Sequence, residues 1–144
     1  MEIAMNEGHL DVVSICRAED VEESALRARA DLGWRVWTSG FLARVDGCEA
    51  GLLMLDFYDR TSTAKVYEIL VLSQFRRRGI AKVLMRRAEG AAKAMGARIL
   101  ELEAHPLDEQ TKLAMLRYWY SSMGFNGKRD SRLMTKSLSP GYNE

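Results

Sequence analysis

Cysteine, proline and histidine are scarce in this 144-residue sequence, which contains two of each. Cys16 and Cys48 stand far apart. Two isolated cysteines fit neither a disulfide scaffold nor the ligand spacing of a metal site. We therefore expect reduced, partly buried thiols, a reducing compartment and no bound metal.

The sequence also lacks a strong net charge and a long apolar run. Its formal net charge is +1, so no global field attracts it to nucleic acid or to an acidic membrane surface. No stretch approaches the roughly 18 apolar residues of a membrane span, and residues 1–11 do not resemble a signal peptide. We expect a cytoplasmic protein that binds neither nucleic acid nor membrane, in which any anion site is local.

What the sequence does contain is apolar surface to bury. Hydrophobic residues make up 47% of the chain and charged residues 28%, a balance typical of a globular protein. A length of 144 residues matches one domain. We expect a single domain over residues 1–144, with loose termini at residues 1–10 and 139–144.

Apolar periodicity predicts strands and helices along the whole chain. In order, these are a strand at 11–17, a helix at 20–32, strands at 41–45, 50–57 and 64–72, a helix from 80 to 95, a strand at 98–104, a helix from 108 to 123 and a strand at 132–138. Asp46-Gly47 between two apolar runs predicts an antiparallel hairpin. The strand at 64–72 is apolar on both faces and should lie centrally, and a right-handed crossover should join it to a parallel neighbour at 98–104.

Particular residues mark the ends and faces of the predicted helices. Glycines at 33, 96 and 124 are placed as helix stops, and Asp108 is placed as an N-cap. The long helix has an apolar stripe at helical spacing, formed by Ile80, Val83, Leu84, Ala88, Ala91 and Met95. The last helix has one formed by Leu113, Leu116, Tyr120 and Met123. Both stripes should face the core.

A short basic turn, Leu72-Ser-Gln-Phe-Arg-Arg-Arg-Gly-Ile-Ala81, joins the predicted central strand to the long helix. A helix N-terminus has unpaired backbone N–H groups and a partial positive charge, and Gly79 lets the chain approach a phosphate closely. Three arginines alone form an ordinary solvated patch, so their position is what favours a phosphate site. The turn has neither the Gly-Lys-Ser/Thr of nucleotide loops nor the glycines of a dinucleotide fingerprint. It therefore predicts a site for a different phosphate-bearing ligand.

Two motifs resemble those of the GNAT superfamily of N-acetyltransferases. Arg76-Arg77-Arg78-Gly79-Ile80-Ala81 is similar to its Arg/Gln-x-x-Gly-x-Gly/Ala acyl-CoA motif, and Tyr120-Ser-Ser-Met-Gly-Phe125 is similar to its Tyr-x-x-x-Gly-Phe ending. The resemblance covers residues 50–138, and the first third agrees in element order. It implies one α/β domain with a mixed, mostly antiparallel central sheet flanked by helices. It also implies an N-acyltransferase that uses acetyl-CoA as co-substrate.

The resemblance implies a cofactor site in and before the basic turn. Backbone amides from residues 77 to 81 would hold the CoA pyrophosphate, with nearby side chains assisting. The amide of Val71 would meet the thioester carbonyl and stabilise its developing negative charge. The implied cofactor-binding residues are Val71, Arg76, Arg77, Arg78, Gly79, Ile80, Ala81 and Lys82.

The same resemblance implies a base and an acid. An amine with a pKa of ~10.4 is protonated at neutral pH, so it must lose a proton before it attacks a thioester. Glu68, on the central strand three residues before Val71, is the first candidate for this base; an ordinary ion pair is the alternative. It occupies a position where many members of the family have a glutamate.

Two tyrosines compete for the acid that would protonate the departing CoA thiolate. Counting back from Gly124 selects Tyr120, whereas the family's Asn-x-x-Ala-x-x-x-Tyr pattern selects Tyr118, with Thr111 in place of the asparagine. Tyr120 shares the apolar stripe of the last helix, and Tyr118 lies roughly 200° away around it. We therefore choose Tyr120, for which the alternative is a core aromatic residue.

Other polar and aromatic residues are weaker candidates. His105 follows the strand at 98–104 and could face the acceptor, although a surface role is the alternative. Glu101 and Glu103 could attract a cationic acceptor or face solvent. Trp34 and Trp37 lie where the family usually shapes its acceptor site, and core or dimer contacts are the alternative.

The resemblance implies direct acetyl transfer to a primary amine within a ternary complex, without a metal. The acceptor could be a small metabolite, an antibiotic or a protein. A homodimer is implied only by the resemblance. The rival hypothesis is a non-catalytic module that senses CoA or binds nucleic acid through Arg76–Arg78. Steeply salt-dependent binding would favour nucleic acid, and CoA binding without turnover would favour the sensor.

Overall fold

A computed structural model describes residues 9–105, 112–128 and 131–138 of the chain. Its strands are β1 (Leu10–Ile15), β2 (Thr38–Val45), β3 (Cys48–Tyr58), β4 (Thr63–Val71), β5 (Ile99–Glu103) and β6 (Leu133–Ser137). Its helices are α1 (Ser24–Gly33), α2 (Ile80–Ala94) and α3 (Leu113–Ser121). Short 3-10 turns occupy Ala18–Asp20, Asp59–Thr61 and Ser73–Phe75. The predicted cap at Asp108 and the outer termini, 1–8 and 139–144, lie outside the described residues.

The six strands form one sheet in the order of the sequence. Only β4 and β5 run parallel, and the other four neighbouring pairs are antiparallel. The long helix α2 connects the parallel pair, since a parallel connection must cross from one end of the sheet to the other. The predicted α/β fold, with a mixed and mostly antiparallel sheet flanked by helices, is confirmed.

The hairpin between β2 and β3 turns at the predicted Asp-Gly pair. Asp46 and Gly47 have φ angles of 52° and 83°, the left-handed values that a tight hairpin turn between twisted strands requires. The turn is also tied to the chain before β1, because Asp46 donates its amide to the carbonyl of His9 and accepts the His9 amide on its carboxylate.

Two apolar cores lie on opposite faces of the sheet. One lies under α1, where Leu26 and Ala30 meet Leu52 and Met54 of β3. The other lies under α2 and α3 and includes Leu53 and Leu55 of the same strand, together with Leu84, Ala88, Leu100, Leu102 and Phe125. Because alternate side chains of β3 point to opposite faces, β3 is apolar on both and lies at the centre.

The structure corrects three details of the expected burial. Strand β4 lies inside the sheet as predicted, but its residues 67–71 are only partly buried or exposed, because β5 covers only its first half. On α2 the row Ile80, Leu84, Ala88 and Ala92 is buried, whereas Met95, beyond the last turn, is exposed.

The third correction concerns the cysteines. Cys16 and Cys48 are unpaired thiols, but both are exposed rather than partly buried. Cys16 follows the end of β1, and Cys48 begins β3 immediately after the hairpin turn, so both thiols lie at the ends of strands. Among the described helices, none combines the length and apolar character needed to cross a membrane.

Candidate active site

A gap opens between β4 and β5 because their pairing covers only half of β4. The parallel register runs from Thr63 opposite Ile99 to Val66 opposite Leu102, and β5 ends one residue later. Residues 67–71 of β4 continue along β3 without a β5 neighbour. The edge of β4 that faces the gap is therefore available to another molecule.

A β-bulge on β4 lies where the gap begins. Val66 pairs with Leu55 and Glu68 pairs with Met54, so Tyr67 is an extra residue without a partner on β3. The ring of Tyr67 packs on Gly33 of α1 so closely that a Cβ at Gly33 would lie 2.1 Å from a ring carbon. The bulge thus directs both Tyr67 and Glu68 towards α1.

The backbone of Val71 faces the gap. The amide of Leu72 bonds to the carbonyl of Ala50 at 2.9 Å, on the β3 side of the strand. Backbone groups alternate along a strand, so the amide and carbonyl of Val71 point to the opposite side. The carbonyl accepts a hydrogen bond from Nε of Arg76 at 3.2 Å, and the amide remains directed into the gap.

The basic turn wraps from β4 onto the N-terminus of α2. Arg77 and Gly79 have φ angles of 67° and 79°, and Gly79 is the N-cap residue. Among the described residues no side chain caps this terminus, so the amides of the first turn can face a ligand. A Cβ built on Gly79 meets no atom within 4 Å, which shows that the space above the terminus is open. An anion fits this terminus.

The three arginines of the turn differ in their contacts. Arg76 is held against the carbonyl of Val71, and the guanidinium of Arg78 lies 5.4 Å from the centre of the Phe75 ring, a cation–π contact. Arg77 is exposed. Two of the three are therefore anchored near the gap by contacts within the turn, rather than forming a uniform basic surface.

A groove of about 470 Å³ continues from the turn along α2 towards the end of α3. Lys82, Arg86 and Lys93 line it, and Lys136 enters from β6, donating to Glu89 and to the carbonyl of Met123, each at 2.9 Å. Of these four cations, only Lys82 was predicted from the sequence. The four-residue spacing of Lys82 and Arg86 was a usable signal, because residues i and i+4 share one helix face.

Tyr120 extends from α3 towards the gap, on the face of the sheet that α2 and α3 cover. It is 5% exposed, whereas Tyr118 is 77% exposed and points away. Its ring contacts Trp119 and Phe125 edge-on, with centroids 5.0 and 6.0 Å apart. Burial, and then the negative charge of Glu68, raise the pKa of Tyr120 to about 12, so its phenol is protonated at neutral pH.

Glu68 reaches the same gap from the α1 face. Its side chain is 12% exposed and accepts two hydrogen bonds from Arg29, from Nε at 3.1 Å and from Nη2 at 3.2 Å. Glu68 and Tyr120 line one small cavity of about 130 Å³. Glu68 was predicted from the sequence but Arg29 was not, because 39 residues separate the pair and no local pattern joins them.

His105 and Glu103 form the far rim of this cavity. His105 Nε2 lies 2.9 Å from Glu103, and Nη1 of Arg132 lies 3.0 Å from His105 Nδ1. Arginine only donates, so Nδ1 is the acceptor and Nε2 carries the hydrogen shared with Glu103. The hydrogen bond from His105, followed by the charge of Lys65, lowers the pKa of the Glu103 carboxyl. His105 is therefore engaged on both nitrogens.

The two tryptophans do not line the cavity shared by Glu68 and Tyr120. Trp34 packs over Gly40, where a Cβ would lie 2.4 Å from its ring, and joins the core under α1. Trp37 is exposed beside Val36. Within the described residues, no group of three or more His, Cys, Asp or Glu side chains is placed to hold a metal ion.

Comparison with known proteins identifies a family that the chain matches and solved structures that share its fold. The class that this match defines is that of the acyltransferases. The model of the acetyltransferase (GNAT) family matches residues 10–125, and the chain belongs to that family. A search of curated proteins gave no match.

Solved structures share the fold at low sequence identity. A PaiA N-acetyltransferase from Thermoplasma acidophilum in complex with coenzyme A has a TM-score of 0.65 and 14% identity over 90% of this chain and 99% of that one. An IAA acetyltransferase from Bacillus cereus has a TM-score of 0.64 and 18% identity over 90% and 100%. A nourseothricin acetyltransferase has a TM-score of 0.59 and 23% identity, over 72% of this chain and 66% of that one. This chain thus spans just under two thirds of the last protein.

Proposed function

We propose that the protein is an N-acetyltransferase that moves an acetyl group from acetyl-CoA to a primary amine in a ternary complex. The observation that carries the proposal is the meeting of Glu68 and Tyr120, from opposite faces of the sheet, in one cavity beside the open edge of β4. Membership of the GNAT family supports the transferase class.

The residues present fit an acyl-CoA molecule. The uncapped N-terminus of α2 at Gly79 offers amides and open space for the pyrophosphate, and Arg78 and Lys82 lie next to it. The pantetheine arm would follow the unpaired edge of β4, and the amide of Val71 would bond to the thioester carbonyl. Acetyl-CoA supplies the activated acyl group.

Glu68 acts as the general base and Tyr120 as the general acid. Glu68 accepts a proton from the acceptor ammonium, directly or through water, and frees the amine for attack on the thioester carbon. The amide of Val71 stabilises the negative charge that grows on the carbonyl oxygen as the C–N bond forms. When the C–S bond breaks, Tyr120 donates its proton to the departing sulfur, and the extra proton of the attacking nitrogen passes to Tyr120, directly or through water, which restores the phenol and leaves the amide. Because Glu68 helps to raise the pKa of Tyr120, neutralising Glu68 lowers that pKa when the proton is needed.

The contacts of the turn also weigh against a nucleic-acid function. A groove for nucleic acid needs a continuous row of mobile cations, whereas Arg76 is bound to Val71 and Arg78 is stacked on Phe75. A CoA sensor would use the same cofactor site. Measuring turnover as well as binding separates the sensor from the enzyme.

Calorimetric titration of acetyl-CoA into wild type and Gly79→Glu tests the cofactor site. The carboxylate of Gly79→Glu would occupy the pyrophosphate position, and we expect affinity to fall about 100-fold or more, since a charge-assisted phosphate site becomes repulsive. Gly96→Glu is the matched control, because Gly96 also has a positive φ, 95°, and open space at its Cβ, but lies at the other end of α2.

The outcomes separate the hypotheses. Binding lost in Gly79→Glu and kept in Gly96→Glu, together with release of free CoA thiol in a screen of amines, supports the enzyme. Tight binding without turnover of any amine would favour the sensor. A folded wild type that binds no acetyl-CoA would refute the proposal.

A further inference from the structure

The ion pair between Arg29 and Glu68 bears on which amine the cavity accepts. A guanidinium group has two edges that can each bind a carboxylate through parallel N–H donors. Glu68 occupies the edge formed by Nε and Nη2 of Arg29. Within the described part of the chain, Nη1 of Arg29 has no hydrogen-bond partner, so the second edge is available.

Arg29 borders the cavity. Arg29, Glu68 and Tyr120 line it together, and the Arg29 side chain is 38% exposed compared with 12% for Glu68. An acceptor whose amine approaches Glu68 therefore comes next to a guanidinium edge that can bind an anion. This arrangement favours a molecule with an amine and a carboxylate close together.

The second carboxylate at the cavity already has a cationic partner. Glu103 is paired with Lys65 and His105, and Arg132 is bound to His105. A site for a polycation would instead present several carboxylates without cationic partners. At about 130 Å³, the cavity is also small beside the roughly 300–1,000 Å³ of sites for drug-sized ligands.

We infer that the acceptor is a small amino acid or a close analogue, with Glu68 facing its amine and Arg29 binding its carboxylate through Nη1 and Nη2. This inference rests on the proposed acetyltransferase function and deepens it by naming the substrate class. Arg29 would be a specificity-determining residue. The pair it forms with Glu68 would persist while the acceptor is bound, because the two carboxylates use different edges.

The test compares matched acceptors that differ only in the carboxylate. Free amino acids, their α-carboxamides and the corresponding decarboxylated amines are assayed by release of CoA thiol. We expect wild type to prefer each accepted acid to its amide by about 10- to 100-fold in kcat/KM, the range for a charge-assisted bidentate contact. In Arg29→Gln this ratio should fall to about one, and Arg29→Lys should give an intermediate ratio, because lysine keeps the charge and loses the fork.

Arg27→Gln is the matched control. Arg27 lies on the same helix but pairs with Asp31 on the surface, so its replacement should leave the acid-to-amide ratio unchanged. The ratio separates recognition from support of Glu68, because weakening the base would slow acids and amides alike. Thermal unfolding of each Arg29 variant establishes that it is folded.

A second readout does not need turnover. Binding of each acid and amide to the CoA-saturated protein is measured by calorimetry. If wild type binds acids more tightly than amides and Arg29→Gln does not, the result supports recognition of the carboxylate by Arg29. If no acetyl transfer is detected in the same protein, the proposed acetyltransferase function is refuted while this recognition stands. Three outcomes would overturn the inference. In the first, wild type uses acids and amides equally; in the second, Arg29→Gln reduces the use of both equally; in the third, no acid is bound or turned over.

Discussion

Replacing Tyr120 by phenylalanine removes one hydroxyl group from the centre of the proposed site. The ring stays in its contacts with Trp119 and Phe125, and the described structure gives the hydroxyl no hydrogen bond to lose. We therefore expect the free energy of unfolding at pH 7 to change by less than about 0.5 kcal/mol. Loss of a positioned proton donor should lower kcat by about 10²–10⁴-fold. Acetyl-CoA affinity should be retained.

The pKa of Tyr120 adds a second, independent consequence. Burial favours the neutral phenol, so the pKa rises from 10.0 to about 12 on folding. Above pH 10 the unfolded chain releases this proton while the folded protein retains it. Wild type should therefore lose stability relative to Tyr120→Phe as pH rises from 10 to 12, by about 3 kcal/mol at the upper limit, because each pKa unit corresponds to about 1.4 kcal/mol.

Tyr118→Phe is the matched control for both effects, since Tyr118 lies on the same helix and is exposed. Activity is measured by thiol release at pH 7.5, and stability by urea unfolding at intervals from pH 8 to 11.5. Tyr118→Phe retains Tyr120, so it should keep kcat within about twofold of wild type and should show the loss of stability at high pH that Tyr120 causes. Equal kcat in Tyr120→Phe and wild type would refute the acid role, and parallel stability curves would refute the assigned burial effect.

Three further replacements test the base, the bulge and the core. Glu68→Gln should lower kcat/KM by about 10²-fold or more near neutral pH and leave acetyl-CoA binding by calorimetry intact; unchanged kcat/KM would exclude Glu68 as the base. Gly33→Ala should cost about 1–3 kcal/mol in urea unfolding, because its Cβ would lie 2.1 Å from Tyr67; a neutral result would show that the ring has room to move. Leu53→Ala should cost about 2–5 kcal/mol, whereas exposed Leu32→Ala should cost less than about 0.5; equal costs would contradict the described core.

Much of the fold was predictable because it depends on local signals. Asp46-Gly47 defines a hairpin by its tolerance of positive φ, and the strands and helices follow from apolar periodicity. The inward position of Tyr120 likewise follows from its place on the stripe of α3. These features need no knowledge of distant contacts.

The site was only partly predictable. The basic turn and Gly79 were visible as a motif, but the roles of Arg76 and Arg78 depend on contacts with Val71 and Phe75 that no spacing rule gives. The partner of Glu68 was invisible because Arg29 lies 39 residues away, on the helix that packs on the same face of the sheet. Periodicity describes one element at a time, and pairing between elements depends on how they pack.

Local sequence is enough to give the order of the elements, the turn that precedes α2 and the residue types available for phosphate binding and proton transfer. Tertiary structure alone decided where the sheet opens. The bulge at Tyr67 and the early end of β5 expose one edge of β4, and packing on both faces brings Glu68 and Tyr120 into one cavity. The physical reason is that side-chain chemistry and local periodicity are properties of short segments, whereas a gap between strands is a property of their mutual register.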